Sequence, residues 1–241
     1  VSINVVASTS NGEVMGSHIV SIEVGRINGW SISLEYADLD IEANGDNVTL
    51  EITQIGNSPS TPYIIPVLSG NWNAEIPTNF SDIEPQSSFV YNLQITPPED
   101  SLAGEVSNLR LIVKDATGGL GRIEVDIPLR VSPRYSFTAD NGEEWLVNNQ
   151  GGAPLAWIYN DGNALNTISA NVIVHNGWSI SGELEFPLSP GQTRGLDLIL
   201  TPSSTWDESD VSITIQLSDI YGNTQNMSIQ ATMSEYTWSK S

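Results

Sequence analysis

Three acidic residues, Asp38, Asp40 and Glu42, alternate along one short run, and Asp46 follows closely. On an extended strand, residues two apart share a face at a spacing of about 6.5–7 Å. Carboxylates held that way repel one another unless solvent or a cation screens them. Calcium takes about six to eight oxygen ligands and could bridge Asp38, Asp40, Glu42 and Asp46. The simpler reading, an exposed acidic strand face, is the favoured one. The stretches Asp207-Glu208-Ser209-Asp210 and Asp140-Asn141-Gly142-Glu143-Glu144 admit the same two readings, and none of the three has EF-hand spacing. No cofactor other than calcium is expected.

Aromatic residues crowd the second half of the chain: Trp145, Trp157, Tyr159, Trp178 and Trp206. An exposed indole or phenol ring offers a flat apolar face on which a sugar can stack, and Trp157, Tyr159 and Trp206 are the candidates for a glycan ligand. Trp157 and Tyr159 lie two apart and so share a strand face. Core packing is the competing reading, and an outward orientation of that face favours binding. Three glycosylation acceptor patterns begin at Asn47, Asn79 and Asn226. Chance accounts for their number. Their placement is more informative, because Asn47 and Asn226 precede Val48 and Met227, which point inward by alternation.

Little else here could do catalysis. The chain has no cysteine, which removes disulfides, thiolate metal sites and Cys nucleophiles. His18 and His175 are its two histidines, and no His-x-x-x-His, Gly-x-Ser-x-Gly or phosphate-loop pattern occurs. Paired acids of the kind glycosidases use are inevitable in so acidic a chain and carry no weight. An enzyme is not expected. Eight Lys and Arg against 29 Asp and Glu give a net charge of −21 over 241 residues. So few cations cannot neutralise phosphates, which excludes nucleic acid and disfavours anionic membranes. No run reaches the roughly 18 apolar residues of a membrane helix, so direct membrane insertion of this segment is not expected.

The elements that must position these residues are short strands. Val48, Leu50 and Ile52 alternate with polar residues, as do Leu109–Val113, Ile123–Val131, Val211–Leu217 and Met227–Ala231. Such alternation marks half-buried strands, and Gly, Asn, Asp and Pro separate the runs as turns require. No window shows helical periodicity. The expected fold is all-β: tandem Ig-like antiparallel sandwiches preceded by a partial unit, a β-hairpin.

A repeat supports this. Ile52 and Ile158, Asn57 and Asn163, and Trp72 and Trp178 are 106 apart. Pro85 and Pro190, Thr96 and Thr201, and Pro97 and Pro202 are 105 apart, and Asp115 and Asp219 are 104 apart. Gly56-Asn57 and Gly162-Asn163 are expected to supply positive-φ turns. Trp72 and Trp178 are expected to plug the sandwiches. The expected domains are 25–131 and 132–234, with 1–24 as the closing hairpin of a preceding unit (strands Ser2–Ala7 and His18–Val24) and 235–241 as a tail. That organisation reads as a fragment of a longer array. The junction Ser132-Pro133-Arg134 is short and stiffened by Pro, so the units should sit end to end. One duplication resists this register: Asn28-Gly29-Trp30-Ser31-Ile32-Ser33 recurs at Asn176–Ser181, 148 residues on.

The stretch Tyr36-Ala37-Asp38-Leu39-Asp40-Ile41, with Gly45-Asp46-Asn47-Val48 through Ile52 and Gly56-Asn57, is similar to the opening of bacterial and archaeal cell-adhesion-related Ig-like domains. Asn176-Gly177-Trp178, Leu188-Ser189-Pro190-Gly191, Leu196-Asp197-Leu198 and Thr201-Pro202 resemble the galactosidase-associated Ig-like domain of the same superfamily. The second unit departs from the adhesion-type opening, with Gly151-Gly152-Ala153-Pro154 in place of Gly-Asp-x-Val. The resemblance implies repeats in long secreted or surface-anchored proteins, or modules beside glycoside hydrolases. The leading reading is therefore a non-enzymatic extracellular array: a stalk, surface-layer or filament component whose partners are flanking copies or other surface proteins. The alternatives are a carbohydrate-binding accessory region of a secreted glycoside hydrolase, and a filament subunit that homopolymerises by strand complementation.

Overall fold

The computed structural model describes residues 2–34, 39–77, 79–118, 121–141, 145–147, 156–174, 177–201 and 210–233, with backbone alone for 2, 145–147, 210, 211 and 231–233. No helix occurs among them. Two strands, β1 (Ser2–Ser8) and β2 (Val14–Ser21), form an antiparallel hairpin of their own. The second strand starts earlier than the alternation suggested, because pairing with β1 carries it back to Val14.

The first sandwich follows with β3 (Trp30–Leu34), β4 (Leu39–Ile41), β5 (Asp46–Gln54), β6 (Pro62–Leu68), β7 (Asn73–Glu75), β8 (Ser88–Thr96), β9 (Val106–Asp115) and β10 (Arg122–Val131). Its sheets are ordered β3-β5-β8-β7 and β4-β10-β9-β6. The chain changes sheets between β3, antiparallel to β5, and β4, parallel to β10. This sheet switch is the Ig-like arrangement.

The second sandwich repeats it with β11 (Thr138–Asn141), β12 (Trp145–Val147), β13 (Ala156–Tyr159), β14 (Asn166–Ile173), β15 (Ser179–Gly182), β16 (Glu185–Leu188), β17 (Thr193–Gly195), β18 (Leu198–Thr201), β19 (Asp210–Asp219) and β20 (Thr224–Met233). Here β11 pairs antiparallel with β13, and β12 pairs parallel with β20. One sheet runs β11-β13-β17, the other β12-β20-β19-β14-β16, and β15 pairs with β18.

Alternation builds two separate cores. Val48, Leu50, Ile52, Leu93 and Ile95 face Leu109, Leu111, Val113, Ile127 and Leu129 in the first. Ile158, Leu198 and Leu200 face Ile168, Ile213, Ile215, Leu217 and Ile229 in the second. Each such side chain contributes about 1.5–3 kcal/mol of burial. Trp72 is half-buried against the first core, and Trp178 is buried within the second. Tyr91 also sits in the first core, and burial pushes its phenol pKa up to about 12.

The register of pairing carries the repeat into three dimensions. Asn73 opposes Thr96 as Ser179 opposes Thr201. The Gln86 amide donates to the Gln54 carbonyl at 2.8 Å as the Gly191 amide donates to Asn160 at 2.9 Å. Both turns place Pro first and a positive φ second, 62° at Gln86 and 72° at Gly191, closed by bonds from Ser87 to Glu84 and from Gln192 to Ser189.

Gly56 and Gly162 correct the sequence reading, since neither has positive φ. They are glycine for want of room. A Cβ on Gly56 would lie 2.1 Å from the Ile27 carbonyl oxygen, and one on Gly162 would lie 2.3 Å from that of Arg134. The duplicated Asn-Gly-Trp-Ser-Ile-Ser also gains a cause. Its first copy opens edge strand β3, and its second leads into β15, the register counterpart of the opposite edge strand β7. In each, a buried indole (Trp30, Trp178) anchors a short strand. The same local problem recurs at two edges, so the motif need not follow the repeat.

The β1–β2 hairpin is built like β9–β10. Ile3 opposes Val20 as Leu109 opposes Ile127, and Val5 opposes His18 as Leu111 opposes Val125. The turn glycines Gly12, Gly118 and Gly222 have φ of 84°, 85° and 94°. Leu109, Leu111, Ile127 and Val131 are buried, whereas their counterparts Ile3, Val5, Val20 and Val24 are 41–61% exposed.

Candidate functional site

The most elaborate polar construction lies where the sandwiches meet. Asn163, in the loop after β13, donates through Nδ2 to the Ser132 carbonyl at 3.0 Å. Its Oδ1 accepts the Arg134 amide at 2.6 Å, and its own amide donates to the Arg134 carbonyl at 3.0 Å. The linker is thereby strapped onto the second sandwich. From the first sandwich, the Ala103 amide donates to the Asn163 carbonyl at 2.9 Å. The loop carrying Ala103 is itself tied to β10, with Gly104 donating to Val131 and Val131 donating to Glu105. Asn163 is left 7% exposed.

Asn57 makes the same strap 106 residues earlier. Nδ2 donates to Gly25 at 2.9 Å, Oδ1 accepts the Ile27 amide at 2.7 Å, and the Asn57 amide donates to Ile27 at 3.0 Å. Asn57 is exposed, and no described residue occupies the place that Ala103 holds at Asn163. Inside each loop a second amide braces the turn. Gln54 Nε2 donates to Ser58 and Oε1 accepts the Gly56 amide; Asn160 Nδ2 donates to Ala164 and Oδ1 accepts the Gly162 amide.

A carboxylate ties the same pole to the last hairpin. Asp115 Oδ2 accepts Ser60 Oγ at 2.7 Å and also Asn28 Nδ2, while Oδ1 accepts the Thr117 amide at 2.7 Å. Arg26 approaches at 3.5 Å. Asp219 accepts Asn166 at 2.9 Å, the Tyr221 and Asn223 amides at 2.9 Å each, and Asn223 Nδ2 at 2.7 Å. Burial alone raises both carboxyl pKa values. Hydrogen bonds to the ionised form outweigh it and hold both below the usual range.

The acidic row is arranged differently from its one-strand expectation. β4 spans three residues, Asp40 is exposed and 3.9 Å from Arg130, and Glu42 lies beyond the strand. Asp46 opens β5 in the opposite sheet and accepts the Asn47 amide. Asp38 lies outside the described residues. Among the described residues no group of three or more acidic or histidine side chains is placed to hold a metal ion. The acceptors Asn47, Asn79 and Asn226 are all exposed.

Trp157 and Tyr159 point outward from β13, 49% and 41% exposed, while Ala156 and Ile158 point into the core. Asp140 and Gly195 flank Trp157 in register, and Thr138 and Thr193 flank Tyr159. Trp206 lies outside the described residues. The sequence marked Asn57, Asn163, Asp115 and Asp219 as repeat landmarks without showing their bonds. Gln54 and Asn160 went unnoticed, although their shared 106 offset was a usable signal.

No family model matches this chain, and no curated protein matches it. Solved structures do. The protocadherin γB4 extracellular domain is 15% identical with a TM-score of 0.42, the match covering 97% of this chain and 38% of that one. The periplasmic chaperone SfaE is 11% identical with a TM-score of 0.33, covering 86% of this chain and 100% of that one. The Yersinia pseudotuberculosis adhesin InvE is 14% identical with a TM-score of 0.32, covering 86% and 58%.

Proposed function

We propose that this chain is a non-enzymatic, extracellular structural array, a stalk, surface-layer or filament component in which Ig-like units are held end to end by asparagine-centred joints. One observation carries the reading. Asn57 and Asn163 make the same strap, and the copy at Asn163 is covered by the preceding sandwich through Ala103. The uncovered copy at Asn57 fits one more unit of the same kind. On this reading residues 1–24 are the closing hairpin of that unit, 25–131 and 132–234 are Ig-like units, and 235–241 are a tail.

The spacing supports it. Val24 stands three residues before Ile27 as Val131 stands three before Arg134, so a preceding unit would meet the Asn57 pole as the first sandwich meets the second. The net charge of −21 keeps neighbouring arrays apart and soluble. Exposed acceptor asparagines suit a chain that passes through a secretory route.

Pulling single molecules from end to end tests the proposal. Two independent sandwiches yield two unfolding steps, each lengthening the chain by about 35 nm. One step of double length, or extension without measurable force, overturns it.

A further inference from the structure

We propose that the outer face of β11-β13-β17 binds a neutral glycan, with sugar rings stacked on Trp157 and Tyr159. This inference does not depend on the array reading.

The two sandwiches supply their own control. Trp157 and Tyr159 occupy the positions that Glu51 and Thr53 hold on β5, 106 residues earlier. In the first sandwich the corresponding outer face carries Ser31, Ser33, Glu51, Thr53 and Ser88, with Val90 at one corner. A sandwich of this design therefore closes without aromatic rings at those positions. Trp157 and Tyr159 are not needed for the core, which their neighbours Ala156 and Ile158 already fill. Large rings left half in water, side by side on a rigid strand, mark a contact surface.

The surroundings select the ligand. Gly195 opposes Trp157 and has no side chain to cover the indole. Trp157 and Tyr159 stand two residues apart on β13, so their backbone positions lie about 6.5–7 Å apart and both rings project from the same face. The C–H-rich face of a sugar meets the electron-rich face of an aromatic ring favourably. Asp140, opposite Trp157, is exposed and accepts hydroxyl protons, and Thr138 and Thr193 beside Tyr159 can donate or accept. The charged residue among these flanking positions is an acid. A polyhydroxyl ligand without charge fits this face, and an acidic polysaccharide is repelled by it.

Affinity electrophoresis of the whole chain through gels containing hydroxyethylcellulose, β-glucan, xylan, mannan or unsulfated galactan tests this. The expected result is retardation by at least one of these neutral polymers. Trp157→Ala and Tyr159→Ala should each weaken it at least about tenfold. Asp140→Ala should weaken it by a smaller factor. Thermal midpoints of all three variants should fall by no more than a few degrees and the chain should stay folded, because about half of each ring faces water and Asp140 is exposed. Glu51→Ala, on the equivalent face of the first sandwich, should leave retardation unchanged. Retardation by none of the polymers overturns the proposal. So does retardation that survives Trp157→Ala, or retardation by an acidic polymer (polygalacturonate) alone.

Discussion

The two poles strapped by Asn57 and Asn163 share their bonds, their bracing amides and their crowded glycines, yet one is sealed and the other open. The outer faces of the sheets behind them show the reverse pattern: they share a fold position and differ in chemistry, Glu51 and Thr53 in one against Trp157 and Tyr159 in the other. What must hold the unit together is kept, down to individual hydrogen bonds. What faces outward is free to diverge. Residues common to both sandwiches are therefore read as frame, and residues found in one as candidates for recognition.

The comparison breaks most readily at its glycines. Gly56→Ala and Gly162→Ala force a Cβ against a backbone carbonyl that a hydrogen-bonded strap holds in place. Each should cost about 2–4 kcal/mol in urea denaturation of its own sandwich. A mild effect at either site would show that the loops are not equivalent.

Next come the buried acids. Asp115→Asn and Asp219→Asn turn an amide N–H toward groups that are already donors, such as Ser60 Oγ and Asn166 Nδ2. The expected loss is about 1–3 kcal/mol each. Their wild-type carboxyls are held below the ordinary range, so their stabilisation is complete above the unfolded value of about 3.9 and disappears as pH falls through the lower folded value. Melting curves should show a drop in stability below about pH 4, shallower in the double variant.

Asn57→Ala and Asn163→Ala sharpen the comparison, because they should match in local cost at about 1–2 kcal/mol and differ in reach. Hydrogen exchange should quicken at Ile27 in the first, and at both Arg134 and Ala103 in the second. The smallest effect concerns the paired turns. Gln86 holds a φ of 62° where the second sandwich has Gly191. Gln86→Gly should raise the thermal stability of the first sandwich by up to about 1 kcal/mol.

Much of the frame was legible in the sequence. Period-two alternation maps directly onto inward and outward positions, so the sequence alone places Val48–Ile52, Leu109–Val113 and Ile213–Leu217. The repeat offsets named Asn57, Asn163, Asp115 and Asp219, because each must recur in every unit. Their roles were not legible, since the partners come from distant positions: Asn28 and Ser60 for Asp115, Ser132 and Arg134 for Asn163. Gly56 was misread as a conformational glycine because a sequence does not show which carbonyl passes over it. The shared face of Trp157 and Tyr159 was legible; its outward direction was settled by Ala156 and Ile158 filling the core. Asp38, Asp40 and Glu42 read as one strand row with Asp46 close behind, but the strand ends at Ile41 and Asp46 belongs to the other sheet.

The rigidity of the joint at Asn163 is the central claim, and a distance distribution tests it directly. The chain has no cysteine, so Glu51→Cys and Thr214→Cys place one spin label on each sandwich at exposed strand positions. Double electron–electron resonance should give one narrow distance peak, which Asn163→Ala broadens. A broad distribution in the parent protein, unaltered by removing Asn163, would contradict the account.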